Sequence, residues 1–243
     1  AVAEGGRALA ALHADGGVVM TDRPARLSDA ELALPGPGLA IAFGADRLFV
    51  GHGDGRVTAW TIEDRRNVAT WPRADSPVTT VVALPGGGGV SGHADGTIRH
   101  LRPGNAVREI GEASGAITGL AALDSGRAAA ATDAGRVLVL DVPGARVARD
   151  WGAHGSGRTS LASAGSRIVS ASIRGGATLW SDTGRELATL SEGGAGGVTA
   201  IAAAAAGGEL RAAVAGPENA VAVAGPDSAE PLAVLYPTRR GWG

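Results

Sequence analysis

The sequence of 243 residues contains no cysteine and no lysine, and these two absences set the first limits on the chain. Without cysteine, neither a disulfide framework nor a thiolate metal site can form. All 22 basic residues are arginine, which we interpret as a GC-rich coding bias typical of a bacterial source such as an actinobacterium. The formal net charge of −2 gives no general attraction to nucleic acid or to anionic lipid, so we expect neither as a partner.

Long apolar runs are also missing from the sequence. No run approaches the length of a membrane span, and the run Ala200–Gly207 is too short and too weakly apolar. We expect no signal peptide and no membrane partner, and therefore a cytoplasmic protein. Because the sequence starts at Ala1 rather than at methionine, we interpret it as a processed or excised part of a longer chain.

Aromatic residues make up only 3% of the chain, whereas glycine occurs 40 times and proline 12 times. The core must therefore be built from Val, Leu, Ile and much Ala. Such small side chains suit strands that converge on a crowded axis. They bury little area per residue, so we expect stability to come from ring closure and backbone pairing.

Short β-type segments recur through the chain, and the stretch His154–Leu190 shows them most clearly. Each segment is apolar or β-branched and is bounded by Gly, Ser or Asp-Thr-Gly, which predicts a strand. Four such strands in about 40 residues, repeated along a chain, are typical of a β-propeller blade. The predicted strands of this repeat are Thr159–Ala162, Arg167–Ser172, Ala177–Trp180 and Glu186–Leu190.

The turn between the second and third strands of each repeat marks a fixed position from which the repeat length can be measured. A two-residue hairpin turn needs a positive φ and selects Gly or Asn at one place. Such residues recur at steps of about 40 residues, which is the length of one blade. Arginine opens the second strand in several of the same repeats. The turn residues are Gly16, Gly55, Gly96, Gly135, Gly175 and Asn219, and the arginines are Arg47, Arg127, Arg167 and Arg211.

These repeats predict an all-β fold, a six-bladed β-propeller of four-stranded antiparallel blades that fills residues 1–243 as a single domain. The first blade begins late in its inner strand, so we expect the two termini to lie side by side and close the ring. The alternative is an incomplete seven-bladed propeller whose missing blade belongs to absent sequence. The six repeats run over residues 1–34, 39–73, 78–110, 117–151, 154–190 and 198–237.

The sharpest local pattern is His-x-Asp-Gly at three of the turns. Two residues apart on a strand, both side chains point to one face, so an imidazole N–H can bond the carboxylate. We interpret these pairs as structural ties of the hairpins. Zinc needs three or four ligands around one ion, and equivalent positions on separate blades are too far apart to supply them. The pairs are His13 with Asp15, His52 with Asp54, and His93 with Asp95.

The sequence offers no motif for catalysis or for cofactor binding. No nucleophile elbow of the G-x-S-x-G type occurs. The glycine runs Gly86–Gly89 and Gly193–Gly197 lack a following Lys-Ser/Thr and a helix, so we interpret them as loops rather than phosphate sites. We predict no catalytic residue, no cofactor and no metal ligand.

Several arginines are predicted to lie at one rim of the propeller, where a partner could bind them. Acidic residues such as Glu63, Asp141 and Asp182 share this rim and should neutralise part of its charge. The candidate partner-binding residues are Arg47, Arg127, Arg167, Arg211, Arg146 and Arg185.

The spacing of strands and turns in the repeats resembles that of the WD-repeat family over essentially the whole chain. In the fifth repeat the third strand ends at Trp180 and Asp-Thr-Gly follows, although Ser181 stands where the family has Asp. His154 lies at the family's Gly-His position. The resemblance implies a non-catalytic platform whose rim loops bind another protein or another domain of the parent chain.

A weaker resemblance is to quinoprotein-type repeats, which favour Trp at the end of the outer strand, as at Trp71 and Trp151. That resemblance implies a dehydrogenase with a bound quinone and calcium. The alternative function is therefore a propeller enzyme of the quinoprotein or lactonase type. Converging carboxylates at the axis would favour the enzyme, whereas a charged or apolar rim patch would favour the platform.

Overall fold

A computed structural model of the chain describes residues 8–21, 31–123, 126–191, 197–206, 209–215, 221–224, 233–235, 237–238 and 241–242. These residues form strands and turns, with one short 3₁₀ turn at Pro103–Asn105. The chain divides into two compact units, Ala1–Ile117 and Thr118–Gly243. Within both units the strands pair into antiparallel sheets, so the predicted all-β class is confirmed.

The first unit contains two four-stranded sheets and one shorter sheet. In the shorter sheet β1 pairs with β2, and Glu31 adds an isolated bridge to Val19. The second and third repeats form the sheets β3-β4-β5-β6 and β7-β8-β9-β10. The strands are β1 (Leu9–Leu12), β2 (Val18–Thr21), β3 (Gly38–Phe43), β4 (Arg47–His52), β5 (Val57–Thr61), β6 (Asn67–Trp71), β7 (Val78–Ala83), β8 (Gly89–His93), β9 (Thr97–Leu101) and β10 (Val107–Glu112).

The second unit repeats the same arrangement three times. The fourth, fifth and sixth repeats form the sheets β11-β12-β13-β14, β15-β16-β17-β18 and β19-β20-β21-β22, and β23 pairs with β24. The strands are β11 (Ile117–Ala122), β12 (Arg127–Thr132), β13 (Arg136–Asp141), β14 (Arg146–Gly152), β15 (Thr159–Ala164), β16 (Arg167–Ser172), β17 (Ala177–Ser181), β18 (Glu186–Ser191), β19 (Ala200–Ala206), β20 (Glu209–Ala215), β21 (Val221–Ala224), β22 (Ala233–Leu235), β23 (Pro237–Thr238) and β24 (Gly241–Trp242).

Three expectations concern residues outside those that the structure describes. They are the outer strand of the first repeat around Ala25, the sixth-repeat turn at Asn219, and the meeting of Ala1 with Gly243.

The second strands of the second and fourth repeats lie in the interior of their units. In β4 and β12 every residue after the opening arginine is buried, because the strand has a neighbour on each side and a packed sheet on its faces. The outer strands β6 and β14 are largely exposed. Apolar side chains therefore fill the space between consecutive sheets, and two such clusters are Ala10, Val18, Met20, Leu32, Leu48, Val50 and Trp60, and Leu123, Ala129, Ala131, Val137, Val139, Ile168 and Trp180.

Aromatic rings reinforce this packing within each unit. The rings of Phe49 and Trp71 stack with centroids 5.6 Å apart, and those of Trp151 and Trp180 lie 5.8 Å apart at a tilt of 54°. Both separations fall in the range at which aromatic pairs attract each other. These four rings therefore lie where successive sheets meet.

The pairing of third and outer strands contains a register shift in four repeats. It occurs in β5–β6, β9–β10, β13–β14 and β17–β18. Such bulges bend the outer strand and increase its twist. The repeats thus share an irregularity as well as their strand order.

Candidate functional site

The turn between the second and third strands has a common hydrogen-bond pattern. The glycine N–H donates to the carbonyl three residues earlier, from Gly16 to His13 at 3.0 Å and from Gly55 to His52 at 3.1 Å. The His52 N–H also donates to the Arg56 carbonyl at 2.9 Å, which closes a three-residue loop. The loop is one residue longer than the two-residue turn expected from the sequence, and it is a common hairpin connection with glycine in the left-handed region.

Each of these glycines also holds the segment that leads into the next repeat. The Gly55 carbonyl accepts the Ala74 N–H at 3.0 Å, and the Gly96 carbonyl accepts the Ala113 N–H at 3.0 Å. The φ angles of Gly16, Gly55, Gly96 and Gly135 are 87°, 83°, 95° and 79°. We name these four residues the turn glycines. They fix the turn and the following connection together.

The fifth repeat departs from this rule at Gly175. Its N–H donates to the Ser172 carbonyl at 3.2 Å, yet its φ lies outside the left-handed region. The next connection is held instead by the Ser172 carbonyl, which accepts the Val198 N–H at 3.1 Å. The expectation of positive φ at every turn is therefore wrong at Gly175, because another carbonyl takes over the inter-repeat bond.

The aspartates of the His-x-Asp-Gly pattern cap their own turns. The Asp15 carboxylate accepts the Gly17 N–H at 2.9 Å, and the Asp95 carboxylate accepts the Thr97 N–H at 2.9 Å. Asp54 accepts the Arg56 N–H at 3.1 Å and bonds the Arg56 guanidinium at 2.7 Å, which lowers the pKa of Asp54. Such bonds from Asp to the backbone two residues on favour turns.

His52 belongs to a buried chain of hydrogen bonds. Because the Gly36 carbonyl can only accept, Nδ1 of His52 carries the proton and donates to it at 3.1 Å. Nε2 then accepts from the Thr58 hydroxyl at 2.9 Å, and the Trp60 Nε1–H donates to the Thr58 oxygen at 2.9 Å. The chain links the third strand, the second strand and the connection that precedes the repeat.

His93 makes the same connection in the third repeat. Its Nδ1 donates to the Ser76 carbonyl at 3.0 Å, and its Nε2 accepts from the Ser91 hydroxyl at 3.1 Å. The Ser76 hydroxyl in turn accepts the Asp95 N–H at 3.1 Å. One serine therefore joins the histidine to the turn that Asp95 caps.

The fifth repeat reaches a similar result with the histidine in the other position. His154 lies in the connection before the repeat, and its Nε2 bonds the Ser170 hydroxyl of the second strand at 2.8 Å. The Trp180 Nε1–H donates to the same hydroxyl at 2.7 Å. Here the histidine lies in the connection and its partner lies on the second strand, but the same two segments are joined.

The histidine rings thus bond differently from the expected imidazole-to-carboxylate pair. His52 and His93 use both ring nitrogens on Ser, Thr or carbonyl groups, and His13 is exposed. Sequence reasoning missed Thr58, Ser76 and Ser91 as their partners. Thr58-x-Trp60 on β5 and Ser91-x-His93 on β8 carry the missing signal, because residues two apart on one strand share a face.

We expect the unfolding free energy to fall as the pH drops from 7 to 5. Burial lowers the pKa of His52 and of His93, whereas the same rings in the unfolded chain protonate near pH 6.5. Unfolding therefore takes up protons below about pH 6.5, at up to about 1.4 kcal/mol per pH unit for each ring. Urea titrations at pH 7.5, 6 and 5 measure this slope. A flat profile would contradict neutral, buried rings.

The candidate arginines take equivalent places in their sheets. Arg47, Arg127 and Arg167 each open a second strand and pair with the last residue of the third strand. Arg146 opens β14 and Arg185 precedes β18. Arg211 lies inside β20, which begins at Glu209, so Arg211 does not open its strand as the spacing predicts. We name this end of the sheets the arginine edge, and the opposite end, with the turns, the turn edge.

Most of these arginines meet a carboxylate or a carbonyl. Arg47 pairs with Asp46 at 2.8 Å, and Arg127 of the fourth repeat pairs with Asp182 of the fifth at 2.5 Å. Arg146 pairs with Asp141 at 3.0 Å. The Arg211 guanidinium donates to the Leu210 carbonyl at 3.5 Å. The Asp46 side chain raises the pKa of Arg47.

A cleft of about 570 Å³ opens beside the first turn, next to Asp15 and Glu31. A β-carbon at Gly17 would lie 3.2 Å from an Asp15 carboxylate oxygen and 3.3 Å from one of Glu31. The cleft brings two carboxylates together, one of which already caps the turn. Among the described residues no group of three His, Asp or Glu side chains is placed to hold a metal ion. The described part of the chain also contains no helix long and apolar enough to cross a membrane.

Comparison with known proteins bears on the fold. The sequence matches no protein-family model and no curated protein. Among solved structures, the chain is similar to the computationally designed Ika8 protein, with a TM-score of 0.74 and 23% sequence identity. The alignment covers 94% of this chain and 71% of Ika8. At this identity the likeness shows the fold alone, a chain of repeated antiparallel β-sheets.

Proposed function

We propose that the chain is a six-bladed, WD-repeat-like β-propeller that acts as a non-catalytic scaffold for protein interactions. Its loops at the turn edge and the arginine edge bind a protein partner or another domain of the parent chain. Five four-stranded sheets in sequence order, with β1 and β2 ahead of them, support the number of blades. Fold alone does not assign function, so the proposal depends on the turns.

One observation carries the scaffold function: an ordered turn backbone shared by the first four repeats carries Asp in three of them and Ala in the fourth, whereas the fifth repeat changes both the backbone at Gly175 and the side chain before it. The central turn positions hold Asp15, Asp54 and Asp95 in three repeats, Ala134 in the fourth and Arg174 in the fifth. The first three turns have glycine at the same φ and an aspartate cap. Loops that are already ordered lose little conformational entropy on binding, which favours affinity.

The side chains at the turn edge are available to a partner. In the fourth and fifth repeats Asp133, Ala134 and Arg174 are exposed, and 43% of Ile173 is exposed. An exposed isoleucine beside an arginine is the kind of mixed apolar and cationic group that protein interfaces use.

Capture from a lysate of the source organism, with the whole chain as bait, tests the proposal. One variant changes the turn edge with Asp133→Ala, Ile173→Ser and Arg174→Ala, and a second changes the arginine edge with Arg167→Gln and Arg185→Gln. The matched control changes exposed outer-strand residues with Val68→Ser, Glu109→Ala and Arg149→Ala. We expect one edge variant to reduce the yield of a specific protein about tenfold, while the control keeps it.

Two outcomes would contradict the scaffold function. One is the absence of any protein enriched by the chain over beads alone. The other is equal loss with the outer-strand control, which would place binding away from the loops.

A further inference from the structure

One row of side chains at the arginine edge of the fifth repeat has an unusual charge balance. Arg167 pairs with Ser181 across β16 and β17, and the Ser181 N–H donates to the Arg185 carbonyl at 2.9 Å. The three residues therefore lie side by side, with the arginine Cα atoms about 10 Å apart, which is two strand spacings. Both arginines are exposed. We name these three residues the arginine row.

The fourth repeat has the same row with an acid at its centre. Arg127 and Arg146 both pair with Asp141 across the strands. The Asp141 carboxylate bonds Arg146 at 3.0 Å and accepts the Gly144 N–H at 3.0 Å. A carboxylate of the chain itself thus stands between the two arginines.

The second repeat also brings a carboxylate to its row, but from the neighbouring turn. Thr61 stands between Arg47 and Arg66, and its hydroxyl donates to the Asp64 carboxylate. Asp64 bonds Arg66 at 3.2 Å, while Arg47 pairs with Asp46. An aspartate on a turn therefore supplies the negative charge.

The fifth repeat has lost both sources of negative charge. Ser181 replaces the central acid, and Asp182 in the adjoining turn pairs with Arg127 of the previous repeat. Among the residues that the structure describes, no carboxylate lies within ion-pair distance of Arg167 or Arg185. The Ser181 and Thr183 hydroxyls lie 2.7 Å apart beside them. Two guanidinium groups and two hydroxyls remain where the second and fourth repeats hold an aspartate.

We propose that the arginine row binds a carboxylate from an acidic segment of a protein partner. This inference rests on the proposed scaffold function and names the partner's chemistry. The equivalent rows show what fits, because Asp64 on a turn and Asp141 at the end of β13 each bring a carboxylate to their arginines. Guanidinium groups bind carboxylates with charge-assisted, geometrically specific hydrogen bonds. The Thr183 hydroxyl can add a donor.

Fluorescence anisotropy with a labelled peptide of four Glu-Gly repeats tests the inference on the whole chain at about 0.1 M salt, where the Debye length is about 10 Å. The peptide of four Gln-Gly repeats reports binding that does not depend on charge. We expect saturable binding of the acidic peptide and an affinity about tenfold lower for Arg167→Gln/Arg185→Gln. Ser181→Asp should lower the affinity by a similar factor, because it restores the central acid of the fourth repeat.

The matched control is Arg149→Gln/Arg158→Gln, which removes the same charge from exposed residues outside the arginine row. Its affinity should stay within about twofold of the parent, since screened charges outside the row contribute little. Circular dichroism of each variant checks that the sheets are intact.

Three results would overturn the inference. They are equal binding of the two peptides, equal loss in the control variant, and stronger binding of inorganic phosphate or of a single-stranded oligonucleotide by the same arginines. If capture succeeds through the turn edge while the acidic peptide does not bind, the inference fails and the scaffold function stands. If the whole chain captures no partner through either edge, the scaffold function fails.

Discussion

Replacing Gly55 by alanine should lower the unfolding free energy by about 3 kcal/mol. The φ angle of Gly55 is 83°, and a residue with a β-carbon is destabilised in this left-handed conformation. In addition, its β-carbon would overlap the Ala74 carbonyl oxygen, which belongs to the connection held by the Gly55 carbonyl. Urea unfolding followed by tryptophan fluorescence measures the change.

Gly175→Ala is the matched control for this prediction. Gly175 occupies the equivalent turn position, but its φ lies outside the left-handed region and the nearest atom to a β-carbon is 3.6 Å away. We expect a change below about 1 kcal/mol. Equal destabilisation at both glycines would contradict the different roles assigned to the two turns.

Replacing His52 by leucine should lower the unfolding free energy by about 3 kcal/mol. Leucine fills a similar volume but leaves the buried Thr58 hydroxyl and the Gly36 carbonyl without their ring partner. His52 is only 1% exposed, so water cannot replace those bonds cheaply. The measurement is urea unfolding at pH 7.5, where the ring is neutral.

His13→Leu provides the control, because His13 has the same His-x-Asp-Gly setting and is exposed. The expected change is within about 0.5 kcal/mol, as for most surface substitutions. If His13→Leu destabilised the chain as strongly as His52→Leu, stability would come from the shared motif and not from the buried hydrogen bonds.

The strand pattern could be predicted from the sequence because local signals define it. The predicted second strand of the fifth repeat, Arg167–Ser172, coincides with β16, and the first strand extends the predicted segment by two residues to Ala164. Turn residues and short β-branched runs specify hairpins within about 20 residues of chain. The fold class followed from the recurrence of those hairpins.

The partners of the histidines could not be predicted with the same success. The His52 ring meets Gly36 in the connection before its repeat, and His154 meets Ser170 on a later strand. Whether a polar side chain turns to its own hairpin or to a neighbouring segment depends on the packing of the sheets. The nearest carboxylate along the sequence, Asp54, caps the turn instead.

The charge balance at the arginine edge also could not be predicted from the sequence. Composition and spacing placed Arg127 and Arg167 at equivalent positions, but only the structure shows that Asp182 crosses to Arg127. That single pairing between repeats leaves the fifth-repeat row without an acid of its own. That Ser181 stands where the fourth repeat has Asp141 thus becomes informative only when neighbouring sheets are seen together.

A crystal structure of the whole chain, with elemental analysis of the same preparation, tests the six-bladed, non-catalytic scaffold. We expect six sheets around one axis, His52 and His93 bonded within their repeats, and no stoichiometric metal or cofactor. A seventh position in the ring, or an ion or cofactor held at the axis by converging carboxylates, would contradict the six-bladed, non-catalytic scaffold.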